Sequence, residues 1–126
     1  MSFRTDRVRL AFLVKRKSTL TEEEFSRYWS GTHSALFASL KIVKTNLIKY
    51  EQAHINQSAL MQIHRIGGAP CEWDGMGTFE AESYAKIFEV FENEEYLRVV
   101  KPDEANYLAR DECQLLPLDL LTVLEK

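Results

Sequence analysis

The chain has 126 residues, of which 45% are hydrophobic and 28% are charged, as expected for an ordinary globular protein of one domain spanning residues 1–126. Its 16 basic and 19 acidic residues leave a net charge of −3, which argues against nucleic acid and against an anionic membrane surface as partners. The first residues lack the apolar stretch of a secretory signal, so we expect a cytoplasmic protein. For the same reason Cys71 and Cys113 are expected to be free thiols rather than a disulfide, and neither belongs to a metal-type CxxC pair.

A strand followed by an amphipathic helix is predicted at the start of the chain. Residues 7–15 are rich in branched and aromatic side chains, which is typical of a strand. Thr21 and Glu24 have the spacing of a capping box, which predicts that the first helix begins here. The predicted apolar stripe of this helix comprises Phe25, Trp29, Thr32, His33, Leu36 and Leu40.

An alternating pattern predicts a second strand over residues 44–55. Tyr50, Gln52 and His54 share one face of this strand because side chains two residues apart point the same way. Lys49 points to the opposite face, and we interpret it as structural.

The rest of the chain predicts two further strands separated by helices. Residues 73–81 form the third strand, in which Gly75 and Gly77 share a face and either weaken the strand or allow another group to approach the backbone closely. The other predicted elements are short helices at 58–65, 93–100 and 101–104, a helix at 83–91 and a strand at 116–124.

Without its short helices, the predicted order is β-α-β-β-α-β, the ferredoxin-like arrangement of the α+β class. It predicts one antiparallel four-stranded sheet with the two long helices on one face. The other face of the sheet would be bare in a monomer, which favours a homodimer that covers it.

The histidines are the first candidates for chemistry. An imidazole on an apolar stripe is desolvated and neutral, so His33 could act as a general base, or it could be a core histidine bonded to a carbonyl. His54 lies on the same strand face as Tyr50, and together they could bind a substrate carbonyl and move a proton. The alternative for His54 is a strand end near solvent, and we interpret His64 as a favourable charge near a helix end.

Binding residues and metals are judged from the same pattern. Asp74 could orient a histidine or bind a hydroxyl, or it could be a solvated strand end. Phe25, Trp29 and Phe88 belong to the core or line a pocket for a flat apolar ligand, with Gln52 on the neighbouring strand face. We expect no metal and no cofactor, since no histidine pair has ligand spacing and no nucleotide-binding motif is present.

The first helix and the strand before it resemble the EthD domain family. The matching pattern is a basic pair and a Leu-Thr pair after the first strand, followed by Phe25, Tyr28, Trp29 and His33 in register. Weaker matches are the Lys49–His54 segment and the Lys101-Pro102-Asp103-Glu104 segment. This sequence departs from the family pattern at Tyr107, where Phe is usual, and we expect little consequence.

The resemblance implies a ferredoxin-like protomer that pairs as a dimeric α/β barrel. Fungal members of the family resemble small lyases of aromatic polyketide pathways, so the resemblance implies a cofactor-independent decarboxylase or dehydratase in secondary metabolism. His33 would act as base, and His54 with Tyr50 as acid and carbonyl clamp. The implied substrate-binding residues are Phe25, Trp29, Gln52, Asp74 and Phe88. The alternatives are an aldol-type polyketide cyclase and a non-catalytic dimeric protein that binds an aromatic ligand or serves in a stress response.

Overall fold

The computed structural model describes residues 1–126 and contains one antiparallel four-stranded sheet in the order β2-β3-β1-β4. The strands are β1 Val8–Val14, β2 Lys49–His54, β3 Gly75–Ala81 and β4 Gln114–Leu118. This strand order and the βαββαβ connectivity confirm the predicted ferredoxin-like α+β fold.

The two helical regions predicted to be long pack against one face of the sheet, as predicted. None of the helices has the length and apolarity needed to cross a membrane. In chain order the helical elements are α1 Glu22–Tyr28, a π-helical turn Trp29–His33, α2 Ser34–Ala38, α3 Lys41–Asn46, α4 Gln57–Leu60, a 3-10 turn Ile63–Ile66, α5 Tyr84–Glu92, a π-helical turn Tyr96–Val100, and 3-10 turns Lys101–Asn106 and Arg110–Glu112.

The core lies between the helices and the inner face of the sheet. Alternate residues of β1, namely Leu10, Phe12 and Val14, point into it and are buried. On the outer face, Arg7 and Arg9 hold the buried carboxylate of Glu80 at 3.1 and 2.8 Å. The polar pairs of the outer face therefore do not contact the aromatic interior, where the candidate site lies.

Two predicted strand boundaries were wrong. The second strand begins at Lys49 rather than residue 44, because Lys41–Asn46 forms α3, in which Val43 is buried and Asn46 donates a hydrogen bond to the Lys86 carbonyl of α5 at 3.0 Å. The last strand is Gln114–Leu118 rather than 116–124. Its ladder with β1 ends at the Arg9–Leu118 pair, and beyond it only an isolated bridge between Phe3 and Leu121 continues the pairing.

The predicted stripe of the first helix was wrong at Thr32, which is exposed, and it omitted Phe37, which is buried. Leu36, which was predicted, is partly buried and packs against the core. The buried residues recur every four positions from Phe25 to Phe37, whereas four residues of α-helix overshoot one turn by about 40°. The wider π-helical turn at Trp29–His33 takes up this excess and keeps the four side chains on one face.

Candidate active site

The indole of Trp29 lies against the two glycines of β3. A Cβ atom at Gly75 would lie 2.6 Å from the Trp29 ring, and one at Gly77 would lie 3.6 Å from it. The two glycines therefore admit a large ring against the backbone, which confirms the close approach predicted from their spacing. The ring also contacts Phe25 and His54, with centroid distances of 5.5 and 4.7 Å.

An aromatic cavity lies on the inner side of Trp29. Its volume is about 20 Å³, which is room for about one water molecule. Most of its lining is apolar, and the polar groups that reach it are His33, Tyr50, Tyr96, Glu104 and Tyr107. A polar group enclosed by aromatic rings interacts strongly with any charge that forms beside it, because water does not screen that charge.

His33 is buried in this wall and bonded to a phenol. Its Nδ1 atom lies 2.8 Å from the hydroxyl oxygen of Tyr107. Burial lowers the pKa of His33 to about 4, so the imidazole is neutral at pH 7. Burial also raises the pKa of Tyr107, which keeps the phenol protonated. The sequence-based expectation that Tyr107 is of little consequence is therefore corrected, since its hydroxyl is the hydrogen-bond partner of His33.

One carboxylate reaches the same cavity. Glu104 is 4% exposed, and its Oε2 atom lies 3.0 Å from the guanidinium of Arg110. Burial raises the pKa of Glu104 in spite of this ion pair. Arg110 also lies over the ring of Phe12, 4.9 Å from its centroid, so the cation is fixed at the edge of the cavity.

Gln52 holds Tyr50 in a defined hydrogen-bond direction. The Nε2 atom of Gln52 lies 2.9 Å from the carbonyl oxygen of Trp29, 2.8 Å from the hydroxyl of Ser34 and 2.9 Å from the hydroxyl of Tyr50, so three acceptors share its two hydrogens. Because a carbonyl oxygen only accepts, it fixes which end of the amide carries the nitrogen. An amide nitrogen does not accept, so the Tyr50 oxygen is the acceptor in this contact. Burial raises the pKa of Tyr50 to about 12, so its own proton is retained.

The other end of the Gln52 amide fixes His54. Oε1 of Gln52 lies 2.9 Å from Nε2 of His54, which must donate its hydrogen to this oxygen. The Nδ1 atom of His54 then accepts from the Ser26 hydroxyl at 2.6 Å. Burial lowers the pKa of His54, which favours this neutral form. A hydrogen-bonded chain thus runs from Ser26 through His54 and Gln52 to Tyr50.

An open cleft of about 420 Å³ lies on the other side of Trp29. His54 and Phe25 line it and also touch the indole, so the ring separates the cleft from the inner cavity. The cleft is mostly polar, and its other lining residues are Glu22, Glu23, Ser26, Arg27, Ser30, Ile55, Gln57 and Asp74.

The structure brings most of the predicted site residues together, but not all of them. Asp74 lines the cleft, yet its carboxylate accepts from the Arg16 backbone N–H at 2.8 Å and joins the end of β1 to the start of β3. Phe88 lies apart, on α5 in a separate apolar hollow formed with Leu10. His64 is exposed, and its Nδ1 atom lies 2.9 Å from the Met61 carbonyl oxygen.

Four site residues were missed by the sequence analysis: Phe37, Ser26, Glu104 and Tyr107. A strict spacing of four from Phe25 would have found Phe37. Tyr107 could have been recognised from the sequence, because it stands where Phe is usual. A tyrosine hydroxyl that is buried at such a position needs a hydrogen-bond partner. Ser26 and Glu104 lie among other polar residues in sequence, so nothing local distinguished them.

Two observations concern other ligands. No group of three His, Cys, Asp or Glu side chains in the chain is placed to hold a metal ion. Both cysteines are free, as predicted, with Cys71 exposed and Cys113 partly buried.

Solved structures with the same fold come from several organisms. An EthD family protein from Bacillus halodurans has 12% identity and a TM-score of 0.63, with 91% of this chain and 99% of that chain covered. A hydroxynitrile lyase from Passiflora edulis has 11% identity and a TM-score of 0.64, with 97% and 100% covered. A dimeric ferredoxin-like protein of unknown function from Thermobifida fusca has 16% identity and a TM-score of 0.59, with 95% and 96% covered.

At these identities the structural likeness shows the fold alone, and no curated protein matches the chain in sequence. The family model of the EthD domain, in contrast, matches residues 17–111. This match includes the π-helical turn, the glycine strand and both histidines of the candidate site. The chain therefore belongs to the EthD domain family.

Proposed function

We propose that the protein is a cofactor-independent lyase that decarboxylates or dehydrates an aromatic polyketide intermediate in secondary metabolism. The observation that carries the proposal is the pair of neutral imidazoles, His33 and His54, each held by hydrogen bonds on opposite sides of Trp29. A neutral imidazole can give or take a proton near pH 7. The Passiflora edulis hydroxynitrile lyase supports lyase chemistry on this fold.

The rings around the site favour an aromatic substrate. Flat ligands stack favourably on aromatic walls, and Trp29, Phe25 and Phe37 offer such walls on the two sides of the site. The open cleft has the volume of a small-molecule site, whereas the inner cavity holds about one water. Binding of a polycyclic substrate in contact with His33 therefore requires the Trp29 indole to turn aside.

Both reactions place negative charge on a substrate carbonyl oxygen. Loss of CO2 from a β-keto acid and removal of the α-proton of a β-hydroxy ketone each form an enolate. Tyr50 stays protonated in this environment, so it can donate to that oxygen. His33 and His54 supply the acid and base groups that the remaining proton transfers need.

We also propose that the working unit is a homodimer formed through the outer face of the sheet. This face exposes Met76 and Leu116, at 37% and 40%, around the buried Glu80 pair. Related structures from Bacteroides fragilis and Thermobifida fusca are dimeric. Light scattering of the purified protein should give twice the chain mass, and Leu116→Glu should shift it to a monomer. A wild-type monomer at micromolar concentration would contradict this proposal.

The function is tested with His33→Ala and His54→Ala, with His64→Ala as the matched control. The substrates are a β-keto acid and a β-hydroxy ketone of aromatic polyketide type, and mass spectrometry distinguishes loss of CO2 from loss of water. Each site variant should lower turnover by about 10²–10⁴-fold, while the control keeps it. Turnover that survives in both site variants would refute the acid–base assignment.

Ligand affinity separates an enzyme from a binding protein. The tryptophan fluorescence of a Trp73→Phe background reports on Trp29, so it follows ligand entry directly. A non-catalytic binder would show this fluorescence change with the same affinity in His33→Ala and would form no product. The lyase should show the change together with product.

A further inference from the structure

The hydroxyl of Tyr107 has one hydrogen-bond partner in the chain, which is Nδ1 of His33. Tyr107 is 2% exposed, and its ring is held between Phe25 and Tyr28 at centroid distances of 6.1 and 5.3 Å. The hydroxyl can therefore change its partner only by rotation of its hydrogen, since the ring itself is fixed.

The relative acidities of the two groups set the direction of this hydrogen bond. Each tautomer of His33 leaves one hydrogen without an acceptor in the chain, either that of the Tyr107 hydroxyl or that on Nε2, so the count of unpaired hydrogens does not decide between them. A phenol is a stronger acid than a neutral imidazole N–H, and an imidazole nitrogen is a better acceptor than a phenol oxygen. Tyr107 therefore donates and Nδ1 accepts, which leaves the ring hydrogen of His33 on Nε2.

The Tyr50 hydroxyl also has a defined hydrogen-bond role. Its oxygen accepts from Gln52, whose orientation is fixed by the Trp29 carbonyl. The hydrogen of Tyr50 has no acceptor within the chain, and Tyr50 lines the inner cavity. It is therefore free to donate to a group that enters there.

We infer that Tyr107 is a positioning residue that holds His33 as its Nε2–H tautomer, so that His33 and Tyr50 form a pair of hydrogen-bond donors for a substrate oxyanion. The inference rests on the proposed function and assigns the roles within it. It reverses the role that the sequence suggested for His33, because a nitrogen that carries a hydrogen is a donor and not a base.

A donor pair is suited to decarboxylation rather than dehydration. When a β-keto carboxylate loses CO2, the C–C bond breaks and its electron pair forms the enolate C=C bond as the ketone C=O becomes C–O⁻. The two donors stabilise that oxygen, and the α-carbon then takes one proton from solvent as the ketone C=O bond re-forms. No base is needed in this sequence, whereas dehydration requires a base for the α-proton.

The tautomer can be measured without a substrate. The ¹⁵N chemical shifts of a neutral imidazole show which nitrogen carries the hydrogen, and the three histidines are assigned with His54→Gln and His64→Gln. We expect His33 to be the Nε2–H form at pH 7 in the wild type and a mixture of the two forms in Tyr107→Phe. An Nδ1–H form in the wild type, or an unchanged tautomer in Tyr107→Phe, would overturn the inference.

Kinetics supply the second measurement. Tyr107→Phe removes one oxygen and keeps the ring, and it should lower kcat for decarboxylation about tenfold with KM unchanged. An unchanged kcat would count against the positioning role. If His33 is Nε2–H but no β-keto acid releases CO2, the proposed function fails while the tautomer assignment stands. If CO2 is released and His33 is Nδ1–H, the inference fails and the function stands.

Discussion

Gly75→Ala places a methyl group against the indole ring of Trp29. The new Cβ would lie 2.6 Å from the indole and 3.0 Å from the Ala53 carbonyl oxygen on the paired strand. Carbon atoms normally pack at about 3.5 Å or more, so the ring would have to withdraw by roughly 0.9 Å. Overpacking of this kind costs about 1–3 kcal/mol, and the loss of a flexible strand glycine returns about 0.5–1 kcal/mol. The free energy of unfolding should therefore fall by about 0.5–2 kcal/mol.

Gly77→Ala is the matched control. Its Cβ would lie 3.6 Å from the same indole, which is ordinary contact, and both glycines have backbone angles that alanine can adopt. Thermal unfolding followed by circular dichroism should show a melting temperature lowered by about 2–8 °C in Gly75→Ala and little changed in Gly77→Ala. In a Trp73→Phe background, the fluorescence of Trp29 should change only in Gly75→Ala. Equal stability and equal emission in the two variants would refute the packing argument.

Three further predictions concern stability. The pKa of His33 is about 4 in the folded protein and about 6.5 in the unfolded chain. As the pH falls from 6.5 to 4, the unfolded chain is protonated at His33 and the folded protein is not, so the free energy of unfolding should fall by up to roughly 3 kcal/mol. Urea titrations should show a flatter profile in His33→Gln, and an equally steep one would contradict this. Glu80→Gln should lower the free energy of unfolding by about 1–3 kcal/mol, because it leaves two arginines of the outer face without their carboxylate, whereas replacement of the exposed Glu51 should have little effect. Thr21→Ala should cost about 1 kcal/mol in chemical denaturation because it removes the cap accepted from the Glu24 N–H, and Thr21→Ser should restore most of it.

The fold was predictable because its signals are local. The capping box at Thr21 and the alternation around Tyr50 act within a few residues, and both were confirmed. The boundaries at α3 and β4 were not, because they depend on distant partners. Asn46 is held by α5, and β4 ends where its ladder with β1 ends. The hydrophobic pattern of one segment gives no information on where the element that packs against it begins and ends.

The candidate site, like the fold, could be predicted only in part. His33, His54 and Tyr50 were identified as candidates from periodicity and family pattern. His33 is buried and Tyr50 is half-buried, whereas His54 is exposed at the end of β2. Their hydrogen-bond directions were not predictable, because each depends on a group far away in the chain.

The sequence was sufficient to establish the size and acidic balance of the chain, its single sheet and its candidate histidines. Composition requires no knowledge of the fold, and the periodicity that predicts strands and helices depends only on residues close together in the chain. The tertiary structure alone decided that Tyr107, 74 residues after His33, donates to it, and that Trp29 separates an inner cavity from an open cleft. The physical reason is burial. A hydroxyl or an amide has a fixed hydrogen-bond direction only when packing excludes water and leaves the group a single partner.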